Sequence, residues 1–167
     1  MELFIADDKP VRSFIATPEN ISRVVKFIRN FPLSTSWAMS DREIMEFILS
    51  PSNIFVENDN ALVSFEDVVP KQNASIGFAF WDKKVSGNEK FLREVFMHMI
   101  SILKLRRFTC YVPEKNRVMW RMLERIGFHR EGRMRDAMVL PDGSYTSILL
   151  YGILYEELHP SEGRVAS

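Results

Sequence analysis

The sequence predicts an α+β domain of about seven strands and four helices, with the strands mostly antiparallel. Three observations predict it. Apolar residues recur at helical spacing in two early and two late segments. Between these pairs lie three strand-like runs joined by turns too short to hold a crossover helix, which makes those strands antiparallel neighbours. The length, 167 residues, suits a single domain with a real core.

Taken in order, Val11 to Ala16 reads as a first strand. Thr17-Pro18 follows as a helix start, a hydroxyl N-cap with proline in the first turn, where its missing N–H is not needed. Ile21, Val24, Val25 and Ile28 carry that helix to Arg29, and Phe31-Pro32 breaks it. Ser40-Asp41-Arg42-Glu43 is a capping box that opens a second helix. Ile44, Phe47 and Ile48 form its apolar stripe before Pro51. The three central strands are Ile54 to Glu57, Ala61 to Val69 and Ala74 to Asp82, with turns at Asn58-Asp59-Asn60 and Pro70-Lys71-Gln72-Asn73. A long helix is expected from about Asn88 to Lys104, with Phe91, Val95, His98 and Ile102 on one stripe. Strand Phe108 to Val112, helix Arg117 to Ile126, strand Phe128 to Val139, a Pro141-Asp142-Gly143 turn and strand Tyr145 to Tyr155 complete the order. No repeat or linker interrupts it, so residues 1–167 read as one domain with its core at about 10–158; the ends, about 1–8 and 159–167, read as loose.

Composition narrows the function. The chain is 46% apolar and 26% charged, with 22 basic residues against 22 acidic ones. A zero net charge offers no whole-molecule field for nucleic acid or an anionic membrane, and neither is an expected partner. Lys104, Arg106 and Arg107 are better explained as cations at a helix C-terminus. The single cysteine, Cys110, excludes an internal disulfide framework and a multi-cysteine metal site, and reads as a buried thiol. His98, His129 and His159 lack metal-ligand spacing, so no metal is expected. The N-terminus has neither the basic start nor the apolar centre of a signal peptide, and no run reaches the roughly 20 apolar residues of a membrane span. The expected location is cytoplasmic.

The sharpest motif lies late in the chain: Asn116, then Ile126-Gly127-Phe128, Glu131-Gly132, Arg135, Asp142-Gly143-Ser144-Tyr145, and Leu150-Tyr151-Gly152-Ile153-Leu154 with Glu156. Asn116 follows a strand and opens a helix, where its side chain can cap free N–H groups. Gly127 ends that helix, where a left-handed conformation is cheapest without a Cβ. This run, with the order of elements across residues 10–158, resembles the GCN5-related N-acetyltransferase (GNAT) superfamily, in particular the branch that acetylates ribosomal-protein N-termini. The resemblance implies a three-layer α/β/α architecture, acyl-CoA N-acyltransferase-like, around a mixed sheet. It also implies acetyl-CoA as cosubstrate, a primary amine of a protein N-terminus or small molecule as acceptor, and a monomer or homodimer. In the family, strands splay apart near a residue like Asn116, which helps hold the pantetheine arm.

The family's pyrophosphate loop corresponds to Lys84-Val85-Ser86-Gly87-Asn88-Glu89, feeding a helix N-terminus whose amides attract anions. Lys84 stands for the usual arginine and Gly87 is in place, but Glu89 departs from the pattern. Because Ser86-Gly87-Asn88-Glu89 is also a capping box, the glutamate either closes the helix start, where it would repel a pyrophosphate, or turns outward; the sequence leaves both open. The family's acid, base and serine positions hold Leu123, Tyr111 and Met119. The remaining catalytic candidates are Tyr111 itself and Glu66. Glu66 and Asp67, adjacent on a strand, face opposite sides, so one of them can face a cleft. Trp37, between the first helices, is placed where the family builds its acceptor pocket. The alternative to an enzyme is a catalytically silent module that keeps this fold for binding or structure.

Overall fold

In a computed structural model, the protein is described over residues 2–6, 9–36, 38–81 and 88–158. The strands are β1 (Glu2–Ala6), β2 (Lys9–Ser13), β3 (Ile54–Glu57), β4 (Ala61–Val69), β5 (Asn73–Phe80), β6 (Arg107–Pro113), β7 (His129–Val139) and β8 (Tyr145–Leu154). The helices are α1 (Pro18–Asn30), α2 (Asp41–Leu49), α3 (Glu89–Leu103), α4 (Arg117–Ile126) and the single turn α5 (Tyr155–Leu158). One sheet runs in the order β1-β2-β3-β4-β5-β6-β8-β7. Every neighbouring pair is antiparallel except β5 and β6. The predicted α+β class holds. The sheet has eight described strands, one more than expected, because residues 2–6 form β1, and β2 begins at Lys9 rather than Val11. The short α5 is also additional.

Local chemistry explains the helix ends. Thr17 Oγ1 accepts the Asn20 N–H at 3.2 Å, with Pro18 at the first helical position. At α2 the capping box closes in both directions: Glu43 N–H donates to Ser40 Oγ at 3.2 Å and Ser40 N–H to Glu43 Oε2 at 2.6 Å. Gly127 ends α4 at φ 115°, its N–H returning to the Leu123 and Glu124 carbonyls. In the β3–β4 turn, Asn58 Oδ1 accepts the N–H groups of Asn60 and Ala61, both at 2.9 Å.

Strand alternation divides the core into two layers. Val63 and Phe65 of β4 face α3 and α4, joining Phe96, Phe108, Met122, Leu123 and Ile126. Leu62, on the other face, joins Val24, Ile28, Ile44 and Ile48 of α1 and α2. The buried stripe of α3 is Phe91, Leu92, Val95, Phe96, Met99 and Ile100. Ile102, expected on that stripe, is 57% exposed instead. Phe96 touches the rings of Phe65, Phe78, Phe108 and Phe128 at centroid distances of 5.2 to 6.4 Å, within the range where aromatic pairs add to plain burial.

A charged clamp ties α1 to the sheet. The buried Glu57 accepts from Arg23 at 2.6 Å and Arg12 at 3.4 Å, and the Arg23 guanidinium lies 4.5 Å from the Trp81 ring centre. At the opposite edge, β7 is exposed along most of its length. Its ladder with β8 shifts register between Arg130 and Gly132 and again between Met134 and Met138, where Asp136 takes φ 48°.

Candidate active site

The single parallel pair opens the molecule. β5 and β6 are hydrogen-bonded only from Asn73 to Ser75 against Arg107 to Thr109. Beyond that, β5 runs on to Phe80 and β6 to Pro113, each held by its other neighbour. Among the described residues, the edges they turn toward one another past Ser75 and Thr109 therefore have no strand partner. Backbone N–H and C=O groups in that state require other partners, and an extended guest carrying amides can supply them.

The splay leads into a cavity of about 120 Å³. Its sheet walls come from Ser64 and Glu66 of β4, Ile76 to Ala79 of β5, and Cys110 to Pro113 of β6, with Asn116 and Met119 beyond. Its outer wall comes from α1, the segment after it, and Phe47 of α2.

Three local features aim Glu66 into this cavity. The β4–β5 ladder loses register between Glu66 and Val69, where Asp67 adopts φ 49°. That bulge turns Asp67 out to solvent, its N–H donating to Asn53 Oδ1 at 3.2 Å, while Glu66 points inward. Ser64 Oγ then donates to Glu66 Oε1 at 2.6 Å. Opposite Ser64 on β5 stands Gly77. A Cβ there would lie 2.6 Å from Ser64 Oγ and 2.7 Å from Glu66 Oε1, so only glycine leaves space for the carboxylate in this position.

Burial pushes the Glu66 carboxyl above its usual range, the Ser64 hydroxyl opposes that shift, and the negative charge of Asp67 adds to it. No arginine, lysine or histidine among the described residues forms an ion pair with Glu66. On the β6 wall, Cys110 is fully enclosed, and burial followed by the charge of Glu66 raises its thiol. It is the inert, buried cysteine the sequence predicts. Tyr111, the next residue, is 46% exposed and lines the same cavity. The two catalytic candidates therefore stand on opposite walls of one cleft.

Asn116 is buried at the start of α4, and its Oδ1 accepts the Met119 N–H at 3.3 Å. With the oxygen committed to the cap, its amide nitrogen is the group available to a guest. Leu123 and Met119, at the family's acid and serine positions, are core residues. Asn88 makes no side-chain cap to α3. Glu89 at the first position of α3 accepts from Arg125 of α4, at 2.8 Å from Nε and 2.6 Å from Nη2. The carboxylate that threatened to repel an anion thus carries its own counter-charge. Lys84, Val85, Ser86 and Gly87 lie outside the described residues, as do Trp37 and His159.

Sequence reading missed three contributors. Ser64 carries no motif. Gly77, an isolated glycine in a strand, is a signal of close approach that the sequence reading left unused. Arg125 pairs with Glu89 from 36 positions away, beyond any local pattern. The Glu131-Gly132 motif also gains a physical reason: Glu131 Oε2 accepts from Arg107 at 2.7 Å, and this pair lies over Gly152, where a Cβ would collide with it. Among the described residues no three of His, Cys, Asp or Glu gather into a metal-binding group, and no described helix is long and apolar enough to cross a membrane.

No family profile and no curated protein sequence matches the chain. Solved structures do. A RimL ribosomal L7/L12 alpha-N-protein acetyltransferase in complex with coenzyme A superposes with a TM-score of 0.72 at 19% identity, covering 92% of this chain and 98% of that one. A spermidine N-acetyltransferase from Vibrio cholerae in complex with CoA and spermine gives 0.70 at 16% identity, covering 89% and 97%. A GNAT-family acetyltransferase from Bacillus anthracis gives 0.67 at 17% identity, covering 91% and 98%. The chain has the fold of the GNAT acetyltransferases, as its motif run predicts.

Proposed function

We propose that the protein is an acetyl-CoA-dependent N-acyltransferase acting on a primary amine. The observation that carries this reading is the splay between β5 and β6, which leaves an unpartnered strand edge beside a cavity containing a carboxylate, Glu66, and a hydroxyl, Tyr111.

The residues present fit the cosubstrate. The free edge of β5 suits the amides of a pantetheine arm, the Asn116 amide nitrogen lies at the far end of the splay, and the start of α3 suits a pyrophosphate once Arg125 balances Glu89. When bound, acetyl-CoA supplies an activated acetyl group whose C–S bond breaks as a C–N bond to the amine forms. The chain's own residues handle position and protons. Glu66 holds the ammonium by charge and hydrogen bonding, and its raised proton affinity suits it to take a proton from that nitrogen. Backbone N–H groups on the open edge of β5 polarise the carbonyl under attack. Tyr111 donates the proton required by the departing sulfur. Phe27, Phe31 and Phe47 of the outer wall hold the amine in place, which by itself lowers the barrier substantially.

The second reading, a silent module of the same fold, is favoured by the burial of Leu123 and Met119, which leaves no donor at those two positions. Acetyl-CoA separates the two readings. At one hundred times its dissociation constant a ligand stabilises by about 2.7 kcal/mol, which for a domain of this size raises the melting temperature by roughly 5–10 °C. If millimolar acetyl-CoA gives neither a shift nor heat of binding, the enzyme reading falls.

A further inference from the structure

We infer that the acceptor is a small primary monoamine with an apolar body, a single aromatic ring or a short branched alkyl chain, in preference to a polyamine or a peptide. The inference rests on the acyltransferase reading above and names the substrate class of the same site.

Charge complementarity comes first. Among the described residues lining the cavity, Glu66 is the only carboxylate, and there is no lysine or arginine. It sits partly buried and, among the described residues, has a serine hydroxyl as its hydrogen-bond partner and no cation, in a place built by a bulge and a glycine. A buried carboxylate without a cation calls for one, and one ammonium satisfies it. A second ammonium on the same molecule would meet no carboxylate in the cavity and would lose its hydration without compensation.

The walls define the rest of the molecule. Beyond Glu66 the cavity is bounded by Phe27 and Phe31 from α1 and its end, Phe47 of α2, Phe55 of β3 and Leu62 of β4. Glu66 stands beside the splay, since it is opposite Ser75, the last residue of β5 paired with β6, while Phe47 and Phe55 belong to the α2 side. An amine with its nitrogen at Glu66 therefore lays its body against aromatic carbon. Volume sets how much of the molecule the walls can hold. The cavity, about 120 Å³, is close to the roughly 150 Å³ apolar cavity that admits one benzene, so one ring or a short branched chain fills it. Whatever a longer amine carries passes out through its open side and gains nothing from these walls.

The test measures thiol release from acetyl-CoA with 2-phenylethylamine, 3-methylbutylamine, spermidine and an alanyl peptide as acceptors, alongside calorimetry of acetyl-CoA binding. The expected result is a kcat/KM for the two apolar monoamines at least tenfold above spermidine and the peptide, the discrimination that pocket contacts of this kind provide. Thr35→Asp, which adds a carboxylate at the exposed rim of the cavity, should shrink the gap to spermidine at least threefold without altering acetyl-CoA binding. Acetyl-CoA binding accompanied by equal or better turnover of spermidine or the peptide overturns the inference and leaves the acyltransferase reading standing. Absence of acetyl-CoA binding overturns both.

Discussion

Gly77→Ala is the most discriminating perturbation of this site, because it separates Glu66's position from the stability of the fold. The added methyl would stand 2.6 Å from Ser64 Oγ and 2.7 Å from Glu66 Oε1. Both atoms are ends of side chains, so they swing away and the backbone stays in place. The stability terms partly cancel. Alanine in place of a strand glycine gains about 0.5–1 kcal/mol, while loss of the Ser64–Glu66 hydrogen bond, made to a carboxylate, costs about 1.5–3 kcal/mol. The net loss is at most about 2.5 kcal/mol, and the melting temperature should fall by less than about 10 °C. Activity should respond far more. A displaced carboxylate no longer meets the ammonium, and a charge-assisted hydrogen bond of about 1.5–3 kcal/mol corresponds to roughly 10- to 100-fold in kcat/KM for the amine. Acetyl-CoA affinity, which the proposed function assigns to the β5–β6 backbone edge and α3, should stay within twofold. The assay is thiol release over an amine titration, paired with calorimetry and a thermal melt. Amine kcat/KM within twofold of wild type in a folded Gly77→Ala protein would refute the role given to Glu66.

Three other variants probe the remaining parts. Tyr111→Phe keeps the ring on an exposed strand position and should leave the melting temperature nearly unchanged, while kcat falls by about 10²-fold or more; an unchanged kcat removes Tyr111 from the chemistry. Glu66→Gln tests the raised carboxyl. A carboxyl whose folded pKa exceeds its unfolded value contributes stability below the unfolded pKa and loses it as pH rises through the folded pKa. The glutamine variant should therefore melt higher than wild type at about pH 8, with the advantage vanishing toward about pH 4, even as activity falls; a lower melting point at the alkaline end contradicts the burial argument. Arg125→Ala removes a largely exposed partner, worth at most about 1 kcal/mol to stability. It should nevertheless weaken acetyl-CoA binding by uncovering Glu89, more so at low salt, and salt-independent, wild-type affinity would show that Glu89 lies away from the anion.

Much of the fold was legible because its signals are local. Thr17-Pro18, the Ser40–Glu43 capping box, the Asn58 turn and Gly127 each act within a few residues, and the structure uses all of them as read. β1 was not legible, since five residues at a chain end carry too little pattern and gain a partner only from β2. Ile102 was misplaced on the stripe of α3 because the helix buries positions 91, 92, 95, 96, 99 and 100, leaving a residue two past the last of them on the solvent side. At the site, Asn116 was readable from its place between strand and helix, and Glu66 was half readable. Alternation implied that Glu66 and Asp67 part company, but which one turns inward depends on the bulge at Asp67, a tertiary event. The Glu89–Arg125 pair was invisible for the same reason, since it joins two helices that only the folded sheet brings together.

The two interruptions in β7 bear on how the protein behaves in a crowded solution. An eleven-residue strand at the rim of a sheet is a template on which another chain can crystallise its own backbone. Here the template is faulty by construction: its outward donors and acceptors fall out of step near Glu131 and again near Asp136, so an incoming strand finds matching groups for only a few residues before the spacing fails. Straightening either kink would lengthen the run of matching groups and raise this rim's tendency to add a foreign strand.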